Sequence, residues 1–231
     1  MCTILLRLAP GAAEPVVLAA NRDEFRDRAT DEPHPLASGV FAGRDRFAGG
    51  TWLAVSARGL AALTNIAGGA RQPDARSRGT LPLAALRGAL PADLGPFGPF
   101  NLVVVDGDGA RLLSRLPDGR VVGPVPLPPG DHVLANEPPG APPSPRAQRA
   151  RALLRLGPPG FRALADHGEP PGDGLCHHGA TYGTVSSTVI VLDAGLGLAR
   201  YLHRPGLPCR TPTRDLTAEA RAAIAATRLG A

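Results

Sequence analysis

The chain is 231 residues long, 43% hydrophobic and 19% charged, enough apolar content to bury a core and too much for a disordered segment. Its formal charge of +5 comes from 25 arginines and no lysine, scattered without aromatic interleaving, so a nucleic-acid partner is not expected. Three widely spaced cysteines, Cys2, Cys176 and Cys209, exclude a disulfide scaffold and fit a reducing, cytoplasmic address. No apolar run is long enough to span a bilayer, and Arg7 and Pro10 interrupt the apolar start, so no stable membrane insertion is expected.

In chain order, the apolar runs Thr3–Leu8 and Val16–Ala20 predict two strands joined through a turn at Pro10-Gly11. Trp52–Val55 and Leu60–Thr64 predict two more. Asn101–Val105 and Arg111–Leu116 flank Asp106-Gly107-Asp108-Gly109, a hairpin signal. Thr184–Leu192 and Leu198–Leu202 form a second hairpin across Ala194-Gly195. Ser144-Pro145 caps a helix over Arg146–Leu156 that Gly157 ends, and Leu216–Leu229 is a second, Ala-rich helix. Leu81–Leu90 and Phe161–His167 are shorter helical segments, while the proline-rich stretches 91–100, 124–130 and 138–145 read as loops. Strand pairs around a few helices, without βαβ alternation, predict an α+β fold with stacked antiparallel sheets, in one domain over 1–231.

Three places could carry chemistry. Removal of Met1, favoured by a small second residue, would make Cys2 the N-terminus, with a thiol nucleophile and an α-amine base on one residue. Cys2 is otherwise a small apolar residue opening a strand. Asn21-Arg22-Asp23-Glu24 follows the second strand, and its two acids could open a turn or short helix. These are either solvated charges at a strand end or groups that tune the thiol, with Asp23 holding the amine and Arg22 lowering the thiol pKa. The antiparallel turn-back brings them to Cys2. Asn65 and Asn136 each end an apolar strand, where they serve either as turn residues or as donors to an oxyanion.

Met1-Cys2, Asn21-Arg22-Asp23-Glu24, Gly43-Arg44-Asp45, Gly49-Gly50-Thr51-Trp52-Leu53, Leu63-Thr64-Asn65, Ser77-Arg78-Gly79 and Tyr182-Gly183-Thr184 occur in that order. The ordered set resembles the NRDE family, the transport and Golgi organisation protein 2 homologues, and more distantly the bile-salt hydrolase and penicillin V acylase group. The resemblance implies an N-terminal-nucleophile (Ntn) hydrolase-like αββα sandwich of four layers. It makes Cys2 the nucleophile, Arg22 and Asp23 its helpers, and Asn65 and Asn136 the oxyanion groups, for hydrolysis of a small non-peptide amide without a required cofactor. Asn21, Glu24, Trp52, Thr64 and Tyr182, from the same motifs, are the expected ligand-binding residues. The resemblance also implies a rival function, a non-catalytic carrier of haem or of a lipid-related ligand in the same pocket. Cys176-His177-His178, His34 and His203 are then candidate axial ligands. No second ligand pair stands at a metal-site spacing, so no metal is expected, and Cys209 reads as a buried or idle thiol.

Overall fold

A computed structural model describes residues 2–68, 74–169 and 172–226. The chain folds as thirteen strands in two antiparallel sheets with four short α-helices among the described residues, an α+β architecture. None of those helices is long and apolar enough to cross a membrane. Two compact units divide the chain, each with its own sheet.

The first unit comprises Met1–Arg28, Pro129–Ala135 and Ala141–Ala218. Strands β1 (Thr3–Leu8) and β2 (Val16–Phe25) pair with Thr3 opposite Asn21 and Leu8 opposite Val16. On β1's other side lies β10 (Gly130–Leu134), and on β2's other side lie β11 (Tyr182–Leu192), β12 (Leu198–Arg204) and the two-residue β13 (Arg214–Asp215). Ile4–Leu6 of β1 and Val16–Ala20 of β2 are apolar without alternation, and every one of these residues is buried. Leu5, Ala19 and Val189 cover one face of the sheet by packing with Ala150 and Leu154 of α2 (Pro145–Leu156) and Leu164 of α3 (Phe161–Leu164). The Ser144 hydroxyl accepts from the Ala147 amide at 3.2 Å, and Pro145 occupies the first helical turn, as the local sequence dictates.

The second unit comprises Ala29–Pro128, Asn136–Gly140 and Glu219–Ala231. Its sheet is a meander in sequence order: β3 (Thr30–Ala37), β4 (Val40–Asp45), β5 (Leu53–Ser56), β6 (Gly59–Asn65), β7 (Phe100–Asp106), β8 (Gly109–Arg115) and β9 (Val121–Pro126). Asp106 pairs with Gly109, leaving Gly107-Asp108 as the hairpin turn. Leu81, Ala85 and Leu86 of α1 (Leu81–Leu86) pack on Ala54, Leu63, Leu102 and Val104.

Several sequence expectations change, among them the helical segments at Leu81–Leu90 and Phe161–His167, which end at Leu86 and Leu164. The polar run Asn21–Glu24 opens no turn or helix; β2 continues through it to Phe25, because pairing with β11 and side-chain partners satisfy the buried polar groups. The stretch at 124–130 is not all loop, since β9 reaches Pro126 as an edge strand, a place where a missing N–H costs little. The last helix, α4, spans Thr217–Ala225, and the rest of its expected range from residue 227 lies outside the described residues.

Candidate functional site

Pairing of Thr3 with Asn21 carries the chain one residue further to set Cys2 beside Arg22, so the hairpin turn-back does bring the polar run to Cys2. Alternation along β2 then separates that run. Asn21 and Asp23 share the face that α2 and α3 cover, while Arg22 lies on the opposite face with Ala20 and Leu18. Asn21 is 1% exposed and fully engaged: its amide donates to the carbonyls of Leu164 at 3.0 Å and Leu175 at 2.8 Å, and its oxygen accepts from the Ser187 hydroxyl at 2.6 Å. It therefore ties the end of α3 and the loop at Leu175 to the sheet.

Asp23 is the hub. Its Oδ2 accepts from Arg146 Nη1 at 2.6 Å, and its Oδ1 accepts from the Thr184 hydroxyl at 2.7 Å. The same hydroxyl oxygen accepts from the His177 amide at 2.9 Å, so the 177 loop is coupled to the carboxylate through one side chain. The Asp23 carbonyl accepts from the Tyr182 hydroxyl at 3.0 Å and lies 3.9 Å from Cys2 Sγ. A bulge in β11 between Thr184 and Ser186 falls opposite Arg22 and Asp23 and aims Thr184 at the acid. Thr184 closes the Tyr182-Gly183-Thr184 motif but had been given no role, and Arg146 is a part of the site that the motif reading did not supply; it stands in a helix with nothing local to mark it.

Electrostatics at the thiol run against the sequence expectation. Arg22 does draw the Cys2 thiol pKa down, but burial, and after it the Asp23 carboxylate, raise it, and the sum is a thiol held above its ordinary value. Arg22 Nη2 lies 3.9 Å from Glu24 Oε2, and Arg28 Nε approaches the same carboxylate at 3.6 Å. Tyr182 also stacks edge-on against Phe25, with ring centroids 5.2 Å apart.

Asn65, Asn136, Trp52 and Thr64 belong to the second unit. There the Asn136 amide donates to the Asn65 carbonyl, and the Asn136 carbonyl accepts from Ala67 N at 3.0 Å. Thr64 is fully buried, 3.4 Å from the Asn101 amide nitrogen. The half-buried Trp52 ring lies over Gly43, where a Cβ would stand 2.8 Å from the indole. Gly50 (φ +82°) and Gly79 bring two motifs into backbone contact: Thr51 N–H donates to Gly79 O at 2.8 Å, and a Cβ on Gly50 would stand 2.4 Å from that oxygen. Several of the ordered motifs are therefore packing devices.

Of the candidate haem ligands, His34 lies on β3 in the second unit, and His203 is buried on β12 with Nδ1 3.0 Å from the Thr188 hydroxyl. Cys176 and His178 instead converge with two residues that the sequence did not connect to them, His167 and Cys209, in the first unit.

Comparison with known proteins gives two findings. The family described as Transport and Golgi organisation 2 matches residues 1–156, well over half of the chain. A mouse (Mus musculus) protein named Transport and Golgi organization 2 homolog is 43% identical over 95 residues, covering 35% of this chain and 33% of its own length.

Proposed function

Given that the chain belongs to the Transport and Golgi organisation 2 family, we propose that it is an Ntn-type cysteine amidohydrolase acting on a small, non-peptide amide, on an Ntn-hydrolase-like version of the two-sheet fold. One observation carries this reading: Cys2 sits beside Arg22 and against the Asp23 backbone, and Asp23 is fixed by Arg146 and Thr184.

An ordinary thiol titrates at about 8.5 and is mostly protonated near pH 7, so a base must take the Cys2 proton as the sulfur attacks. Once Met1 is removed, the α-amine of Cys2 is that base, since a terminal amine titrates at about 7.7–8.0. The sulfur adds to the amide carbon, the amine passes the proton to the leaving nitrogen, and the C–N bond breaks to leave a thioester. Water, deprotonated by the same amine, then hydrolyses the thioester and restores the thiol. Arg22 favours an anionic substrate group or the thiolate as it forms, and Asp23, locked from behind, fixes the strand segment that faces the sulfur. The roles rest on first-unit residues alone. The protein would act in the cytoplasm, where the thiol stays reduced.

The test is intact-protein mass spectrometry before and after a thiol-directed acylating probe. Loss of Met1, with one label per chain that is absent in Cys2→Ala, is the expected result. A retained Met1, or labelling indifferent to Cys2, would sink the hydrolase reading in favour of the carrier, for which haem titration is the next measurement.

A further inference from the structure

Three loops of the first unit meet at one point. His167 follows α3, Cys176 and His178 precede β11, and Cys209 follows β12. Cys176 Sγ lies 3.6 Å from Cys209 Sγ and 3.5 Å from His178 Nε2. His178 Nε2 lies 3.2 Å from Cys209 Sγ and 3.2 Å from His167 Nε2. All four donor atoms fall within 4.8 Å of one another.

Four of the six separations are close to the edges of a coordination tetrahedron. With Zn–S of ~2.3 Å and Zn–N of ~2.0–2.1 Å, tetrahedral donors stand about 3.8 Å apart for S–S, about 3.6 Å for S–N and about 3.3 Å for N–N. The S–S separation of 3.6 Å, the S–N separations of 3.5 and 3.2 Å and the N–N separation of 3.2 Å each fall within about 0.4 Å of these values. Direct hydrogen bonding explains the cluster less well. Two thiols and two imidazole nitrogens have few acceptors to share, and a chain of such weak pairs has no reason to close on one point. A porphyrin does not fit either, because its two axial ligands stand on opposite sides of a wide plane, whereas here four donors crowd one ion-sized centre.

From this geometry we propose that His167, Cys176, His178 and Cys209 form a Cys2His2 site for a structural zinc ion. Two thiolates and two neutral imidazoles neutralise a divalent cation without leaving net charge in the loops. Four protein ligands close the coordination sphere, so the site is a staple and not a second catalytic centre. Cys176 is buried, Cys209 is half-buried, and both histidines are exposed, which gives the ion an entry path from solvent. The staple also backs the proposed reaction site. His177, between two of the ligands, donates its amide to Thr184, which holds Asp23. The expectation of no metal followed from spacing along the chain; here the fold, and not the spacing, supplies the second ligand pair.

The test begins with full-length protein purified under reducing conditions, stripped with a chelator and titrated with cobalt(II), then zinc(II). One cobalt per chain is expected, with the intense visible bands of tetrahedral cobalt and a sulfur-to-cobalt charge-transfer band, all displaced by one equivalent of zinc. Cys209→Ser should weaken zinc binding at least about 100-fold and reduce the charge-transfer band, while Cys2→Ser leaves both unchanged. Because the Cys2 variant retains the metal, the outcome is separate from the fate of the hydrolase reading. If Cys209→Ser does not fold, alkylation mapping of the wild type replaces it: zinc should protect Cys176 and Cys209 from iodoacetamide and leave Cys2 unprotected. Octahedral, weakly coloured cobalt, a charge-transfer band that survives Cys209→Ser, unprotected thiols, or a Cys176–Cys209 disulfide in the purified protein would each overturn the proposal.

Discussion

The Asp23–Arg146 pair puts one buried charge at the candidate site. Both side chains are withdrawn from water, at 0% and 9% exposure, and the contact is 2.6 Å. Removing one partner of such a pair leaves the other desolvated and uncompensated, so Arg146→Ala should cost about 3–5 kcal/mol of stability. Denaturant unfolding measures it; a loss under about 1 kcal/mol would show that water already screens the acid. Asp23→Asn in the Arg146→Ala background should recover part of the loss, since the orphaned charge is then gone. A second buried group titrates in an accessible range. Burial, and after it Arg214, push the His203 imidazole from 6.5 down to about 4. The folded chain keeps it neutral while the unfolded chain takes up a proton, so stability from this residue is intact above about pH 6.5 and falls as the pH drops toward about 4, by at most about 3 kcal/mol. His203→Gln should flatten that part of the stability–pH curve, and an unchanged slope would contradict the assignment.

At the scale of elements, the strands that sequence marks well are those built on an apolar run. β1 runs over the predicted Thr3–Leu8, and β6, β7 and β12 extend their predicted cores by a residue or two at an end. The α2 cap follows from Ser144-Pro145 alone. Less legible were β3, β4 and β10, whose residues carry prolines, glycines and charges and become strands only because a neighbour offers a ladder. The site divides the same way. Cys2, Arg22 and Asp23 were readable because a hairpin converts sequence order into proximity, whereas Arg146, His167 and Cys209 arrive through tertiary packing that no local spacing encodes. The glycines of the ordered motifs are equally specific. At Gly50 an alanine would need a strained positive φ and would drive its Cβ to 2.4 Å from the Gly79 carbonyl, so Gly50→Ala should lose more than about 2 kcal/mol. Thermal unfolding reads this directly, and a near-neutral result would mean that the 49–51 and 77–79 segments separate at little cost.

Across the whole molecule, arginine exceeds acid by a net charge of +5, yet many of the arginines are engaged by a neighbouring carboxylate and not left to a polyanion. Arg7–Asp131, Arg46–Asp31, Arg111–Asp106, Arg120–Asp118, Arg149–Asp166 and Arg200–Glu14 are all ion pairs. Binding to duplex DNA should therefore be sequence-independent, detectable only at low ionic strength and lost by about 0.15 M salt. Retention at that salt in a filter-binding assay would show an organised basic face. The seven-stranded meander has a further consequence at this scale. Its two margins, β3 and β9, each carry two prolines, Pro33 and Pro35 on one and Pro124 and Pro126 on the other. A growing polymer stops when its chain ends are capped, and these residues cap the sheet in that sense: each margin lacks donors that an incoming strand would need. Val121 and Val125, each 47% exposed on the β9 margin, would otherwise make it an adhesive edge. The architecture thus limits its own propagation, and a chain relieved of those prolines would be a candidate fibre former.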